Sequence, residues 1–141
     1  MSDSRRYPER PILGVGAIIE QRGSVLLVER GNEPLKGVWS LPGGVVETGE
    51  LLKDAVRREV REETGLEVDP VSIAEIFERI MPGQDGRTEY HYVLIDYICR
   101  VTGGSLSPAS DAARAEWVPR AELASYRITE GTLAVIEKAL G

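Results

Sequence analysis

With 141 residues, 17 basic and 23 acidic side chains and a net charge of −6, the chain is expected to form one domain over 1–141 with a substantial core. Domains near 150 residues bury about 68–70% of their unfolded surface. The acidic balance, with no basic cluster standing out, argues against a duplex nucleic-acid surface. The lone cysteine, Cys99, excludes an intrachain disulfide, and no apolar run has membrane length. A cytoplasmic, soluble protein is expected.

In chain order, residues 1–11 are polar and bounded by proline, and read as a loosely ordered arm. Residues 12–20 and 24–30 read as strands joined by a hairpin turn at Gln21-Arg22-Gly23. Gly14 and Gly16 inside the first strand point to close approach by another backbone or a ligand, with helix packing as the alternative. The loop GNEPLKG follows, then a short strand over 38–41 that runs into Pro42-Gly43-Gly44. A helix comes next, with Thr48 as N-cap, Glu50 in its first turn and Gly65 as a left-handed stop. Its inward stripe is Leu52, Ala55, Val56 and Val60. Residues 71–81 and 89–101 form a second hairpin that turns at PGQDG. Residues 102–113 are a loop rich in glycine, serine, proline and alanine, and 116–118 a short strand. A short helix with proline at its first position covers 119–124, and a final helix over 129–140 carries Leu133, Ile136 and Leu140. Two hairpins with one central and one C-terminal helix imply a mixed sheet with helices on two faces.

The central helix carries a local conflict. Glu59, Glu62 and Glu63 project from the flank of its apolar stripe. Glu59 and Glu63 are like charges at i, i+4, which costs roughly 0.2–0.5 kcal/mol. Glu62 and Glu63 also crowd the negative end of the helix, at about 0.3–1 kcal/mol each. Arg58 and Arg61 relieve only part of this. A solvated, salt-bridge-laced face is the ordinary explanation for RREVREE taken alone. A breach of local preference concentrated in one place points to function, and the simplest missing partner is a divalent cation. Carboxylates on adjacent turns, roughly 5–6 Å apart at Cβ, are close enough to share one Mg²⁺ or to bridge a metal pair about 3.5–4 Å apart.

The full spacing runs Gly44, five residues, Glu50, seven residues, Arg58-Glu59-Val60, one residue, Glu62-Glu63, one residue, Gly65-Leu66. It resembles the Nudix box of the Nudix hydrolase family at every fixed position. With about 7% per fixed polar or glycine position, chance gives on the order of one match in 10⁸ windows. The Gly-rich first strand, LLVER, WSLPGG and EWV extend the resemblance over most of the chain. It implies an α/β (α+β) fold, an α/β/α sandwich about a mixed sheet, and hydrolysis of a nucleoside diphosphate linked to another moiety. It implies Mg²⁺, with Mn²⁺ as a substitute, held by Glu59 and Glu63, with Glu62 as ligand or base and the Gly43 carbonyl completing the sphere. Arg58 and Glu50 would hold the loop against the helix, Gly44 and Gly65 being structural. A later acid often serves the family as base or ligand; Asp111 stands where it would be, with Glu116 as its rival and a turn-capping role as the plain alternative.

Substrate contacts are less sharply marked. Arg30 ends a strand facing the box and could grip a phosphate bidentately, or be simply solvated. Trp39, Tyr90 and Tyr92 stack on a base or fill the core, the core being the commoner fate. Arg79 and Arg87 are weaker candidates, and His91 lacks the partners of a catalytic triad. Family members that cleave ADP-ribose tend to carry a proline some sixteen residues past the box, and Pro82 lies sixteen past Leu66. It also opens a hairpin turn, where proline is common. The expected substrate is a small nucleotide diphosphate, ADP-ribose first. The rivals are a nucleoside triphosphate pyrophosphohydrolase and a non-catalytic nucleotide-sensing module, against which the intact box argues. The arm and long hairpin would permit a homodimer.

Overall fold

The computed structural model describes residues 5–33, 35–109 and 112–141. The elements are β1 (Ile12–Gln21), β2 (Ser24–Arg30), β3 (Trp39–Ser40), β4 (Gly43–Val45), α1 (Leu52–Thr64), β5 (Leu66–Pro82), β6 (Thr88–Gly104), β7 (Ala112–Pro119), a 3₁₀ turn (Arg120–Ser125) and α2 (Thr132–Leu140). They build a mixed sheet with the order β3-β2-β1-β6-β5, with β4 also on β1 and β7 on β2. The β1–β6 pair is parallel, and the other strand pairs are antiparallel.

One edge of β1 is shared between two partners, and this split positions the site. Glu20 and Gln21 pair with β2, whereas Gly14, Val15 and Gly16 pair with Val45, Gly44 and Gly43 of β4. Strand β2 therefore diverges from β1 beyond the hairpin, where Arg22 and Gly23 both take positive φ as a tight two-residue turn requires. The gap admits the Pro42–Gly44 segment, which delivers the glycine turn to the middle of the sheet.

Both faces are covered. Val15, Ala17 and Ile19 of β1 pack with Ala55, Val56 and Val60 of α1, and Leu26 of β2 joins them. The neighbours Val25 and Leu27 point to the other face and pack with Trp39, Val118, Leu123 and Ile136 of α2. Strand β2 reads as an unbroken apolar run because each face of its pleat meets a core.

Several boundaries differ from the sequence expectation. Helix α1 starts at Leu52, with Leu51 as N-cap and no capping side chain. Thr48 and Glu50 lie in the loop, because the Glu50 carboxylate takes the Glu47 N–H and a bidentate Arg58 pair instead. Gly65 has φ 79° and donates to the Arg61 carbonyl, as a left-handed stop should. The second hairpin is longer than the local signals suggest. Its register shifts near Pro70 and Ile73 let β5 continue through a residue that would end a regular strand. Pro119 precedes the 3₁₀ turn, and α2 starts at Thr132 because Gly131 holds φ at 84°. The arm from Arg5 onward lies against the hairpin: the Tyr7 N–H donates to the Glu89 carbonyl and Arg6 pairs with Glu89. Among the described residues, no helix is long and apolar enough to cross a membrane.

Candidate active site

The apolar stripe of α1 faces the sheet, so the residues beside it come up against β4. Gly44 lies directly over Glu59: a Cβ there would sit 2.5 Å from the carboxylate carbon. A side chain there would displace the carboxylate from its place under the turn. One turn on, Glu63 is 8% exposed and its Oε1 accepts the Gly43 N–H at 2.7 Å. Glu62 is the most exposed of the three, with 46% of its side chain accessible. The three carboxylates thus form an edge graded from buried to open.

Arg58 organises that edge. Its Nε and Nη2 donate to both oxygens of Glu50 at 2.7 and 2.9 Å, and Nη2 also reaches the Val45 carbonyl at 3.1 Å. Nη1 donates to Glu59 at 2.8 Å and reaches Glu62 at 3.5 Å. One guanidinium therefore pins the loop to the helix and offsets part of the repulsion among the glutamates. The paired Arg58 and the Glu47 N–H hold the Glu50 carboxyl down at about 2, and the Glu50 bond holds the guanidinium well above its ordinary value. Glu59 behaves oppositely. Burial raises its carboxyl above the usual range despite Arg58, so its ionised form lacks sufficient positive charge.

These groups suit a hard cation. Among the described residues, no three acidic, histidine or cysteine side chains close into a cage. The site offers an open edge of oxygens instead. Magnesium suits such an edge, because it keeps several waters and takes further oxygens from substrate phosphates.

A cavity opens beside the edge, lined by Gly43, Gly44, Arg30, Arg79, Phe77 and Asp96 among others. Arg30 and Arg79 are thus brought to the site. Arg79 lies over the Phe77 ring and donates to the Glu130 carbonyl at 3.0 Å. Tyr92 lines the cavity, whereas Tyr90 is buried. Trp39 is not at the site. It is 7% exposed and packs edge-to-face on Tyr126 in the opposite core. The cause is the two-residue period of β3: Ser40 faces the cavity, so its neighbour must face away. Arg87 is engaged with Asp85 and the Tyr7 ring at the hairpin turn. Asp111 lies outside the described residues, and its rival Glu116 accepts a hydrogen bond from Tyr126. Cys99 is buried, and burial pushes its thiol up to about 12, which leaves it unreactive.

Asp96 was not foreseen. It is a carboxylate in the centre of the sheet, 5% exposed, with its pKa raised to about 6 by burial. The available signal was a lone acid inside the apolar run YVLIDYIC, where an ionisable group is seldom buried without a purpose. Gly16 makes room for it, since any Cβ there would meet the Asp96 carboxylate. Gly14 lies under the Gly44 carbonyl and against the Leu94 side chain, so close backbone approach contributes at Gly14, whereas at Gly16 it is a carboxylate that takes the space.

The chain is similar to known proteins in sequence and in fold. An ADP-ribose pyrophosphatase from Methanocaldococcus jannaschii is 41% identical over 107 residues, covering 76% of this chain and 61% of that protein. An 8-oxo-dGDP phosphatase from Mus musculus is 30% identical over 127 residues, covering 87% of this chain and 36% of that protein. The chain thus spans less than two thirds of the length of either relative. Among solved structures, a MutT NUDIX hydrolase from Burkholderia pseudomallei superposes with a TM-score of 0.81 at 27% identity, covering 92% of this chain and 98% of that one. The model of the NUDIX domain matches residues 10–138. Because that match runs from before the first strand into the last helix, it takes in the sheet as well as the loop and helix, and the chain belongs to the Nudix family.

Proposed function

We propose that the protein hydrolyses the diphosphate of ADP-ribose, releasing AMP and ribose 5-phosphate. The observation that carries this reading is the glutamate edge of α1 standing beside a cavity that holds Arg30 and Arg79. The similarity to the archaeal ADP-ribose pyrophosphatase supports the choice of substrate. Pro82, which ends β5 at the hairpin turn, agrees with the same choice.

Glu59 and Glu63, with Glu62 and the Gly43 carbonyl, would hold Mg²⁺ or Mn²⁺. When bound, the cation supplies charge neutralisation for the diphosphate and acidifies a water. Phosphoryl transfer asks the protein mainly for positioning. Arg58 supplies it by locking the loop on the helix, and Arg30 and Arg79 would bind phosphate oxygens. Glu62, the most open of the glutamates, would accept the proton of the attacking water; Asp111 is the alternative acceptor. The loop preceding it is tied to the end of α1 by the Ser107 and Ala109 N–H groups.

A second reading, hydrolysis of oxidised guanine nucleotides, is favoured by the similarity to the mouse 8-oxo-dGDP phosphatase. Turnover of ADP-ribose, 8-oxo-dGDP, 8-oxo-dGTP and dGTP in ¹⁸O water separates the two. ADP-ribose should turn over fastest, and product masses then show which phosphorus gains the new oxygen. Faster turnover of the guanine nucleotides would replace the ADP-ribose assignment.

A further inference from the structure

Asp96 stands at the centre of the sheet, paired with Gly16 of β1 and Glu75 of β5. Its carboxylate opens onto the cavity. Among the described residues, no donor within the protein hydrogen-bonds to it. Arg79 stabilises its charge through space and not through a hydrogen bond; that guanidinium lies on the Phe77 ring and gives one N–H to the Glu130 carbonyl. A buried carboxylate without a donor is costly, and such a group in a cleft usually meets its donor on a ligand. The opposing strand is also shaped around it, because Gly16 leaves the space that a side chain would take from the carboxylate.

The surroundings narrow the donor. A carboxylate repels phosphate, and the phosphates have the arginines and the cation site to occupy. Leu41, Leu94 and Phe77 give this part of the cavity apolar walls, which suit the faces of a nucleobase better than a polyhydroxylated sugar. A base offers N–H donors at its edge while its faces pack against such walls.

We infer that Asp96 is a specificity-determining residue whose carboxylate accepts a hydrogen bond from an N–H donor on the substrate's nucleobase. The inference rests on the reading of this cavity as the nucleotide site; with ADP-ribose as substrate, the donor is the 6-amino group of adenine. Hydrogen bonds to a charged group are worth enough that removing the donor weakens binding by about 10–100-fold.

The test is calorimetric binding, with Mg²⁺ present, of AMP, GMP and purine riboside 5′-monophosphate, which lacks the amino group. The wild-type protein should bind AMP about tenfold or more tightly than the unsubstituted purine nucleotide. Asp96→Leu, which removes the acceptor, should abolish that preference, while Asp96→Asn, which keeps one acceptor oxygen, should retain its direction. A purely structural role would shift all three nucleotides together. If GMP is preferred and Asp96→Leu erases that preference, the carboxylate assignment holds and the adenine reading fails. Equal wild-type affinities for all three nucleotides, or a base preference unchanged in folded Asp96→Leu, would overturn the inference. Should Asp96→Leu not fold, the wild-type ratio and Asp96→Asn decide alone: retained direction supports the assignment, and equal wild-type binding refutes it.

Discussion

Glu63 couples the helix edge to the glycine turn, and its substitution separates charge from shape. Glu63→Gln keeps an oxygen for the Gly43 N–H, which Glu63 now binds at 2.7 Å, and removes a like charge from Glu59. The metal-free variant should melt at or slightly above the wild-type temperature, by the few tenths of a kcal/mol that such a pair costs. Its turnover should fall about a hundredfold or more if the carboxylate holds the cation. Thermal melts and steady-state rates read the two effects, and a near wild-type rate would remove Glu63 from the cation site. Asp96 gives the opposite trade between fold and function. Burial raises its carboxyl from 3.8 to about 6, so the folded state binds the proton more tightly than the unfolded chain. Below 3.8 both states are protonated and nothing is lost; above about 6 the folded state carries a buried charge at a cost of about 3 kcal/mol. Asp96→Asn should therefore melt higher than wild type at pH 7.5, with the gain shrinking as pH falls from 6 towards 4. Melts at the two pH values check this, and a variant that melts lower at pH 7.5 would show that the carboxylate is already compensated.

At the scale of elements, the loop and α1 act as one body because Arg58 bonds to both. This also explains why capping rules misplace the start of the helix. Thr48 and Glu50 have the residue types of an N-terminus, yet a bidentate guanidinium pair is stronger than a cap and holds Glu50 in the loop. The Glu50 carboxyl is depressed to about 2 from 4.5. The stabilisation from this brace is therefore present above about pH 4.5 and is lost as pH falls towards 2. Glu50→Gln should lower the melting temperature at neutral pH, and the gap from wild type should close as pH drops below 4.5. A pH-independent gap would assign the loss to packing and not to the ion pair. The apolar stripe and the glycine stop of α1 were legible because they depend only on spacing within one helix. The strand ends were not, since Pro70 is accommodated by a register shift that only the partner strand makes possible.

For the whole molecule, a ligand bound by the native state and not by the unfolded chain must raise stability. Titrating Mg²⁺ into chelator-stripped protein should raise the melting temperature by several degrees at a hundred times Kd, where linkage supplies about 2.7 kcal/mol. The shift should be lost in Glu59→Gln; a shift of equal size in that variant would place the cation elsewhere. What the sequence determined by itself was the family, the helix with its glutamates and glycines, and the two-faced mixed sheet. Those follow from periodicities and fixed spacings that act along a single segment. Long-range packing alone put Trp39 in the core and not at the site, brought Arg30 and Arg79 to one cavity and set Asp96 opposite Gly16. The contact of Asp96 with Gly16 joins residues eighty positions apart through the parallel register of β1 on β6, and a one-residue slip of that register would turn every side chain on the strand to the other face.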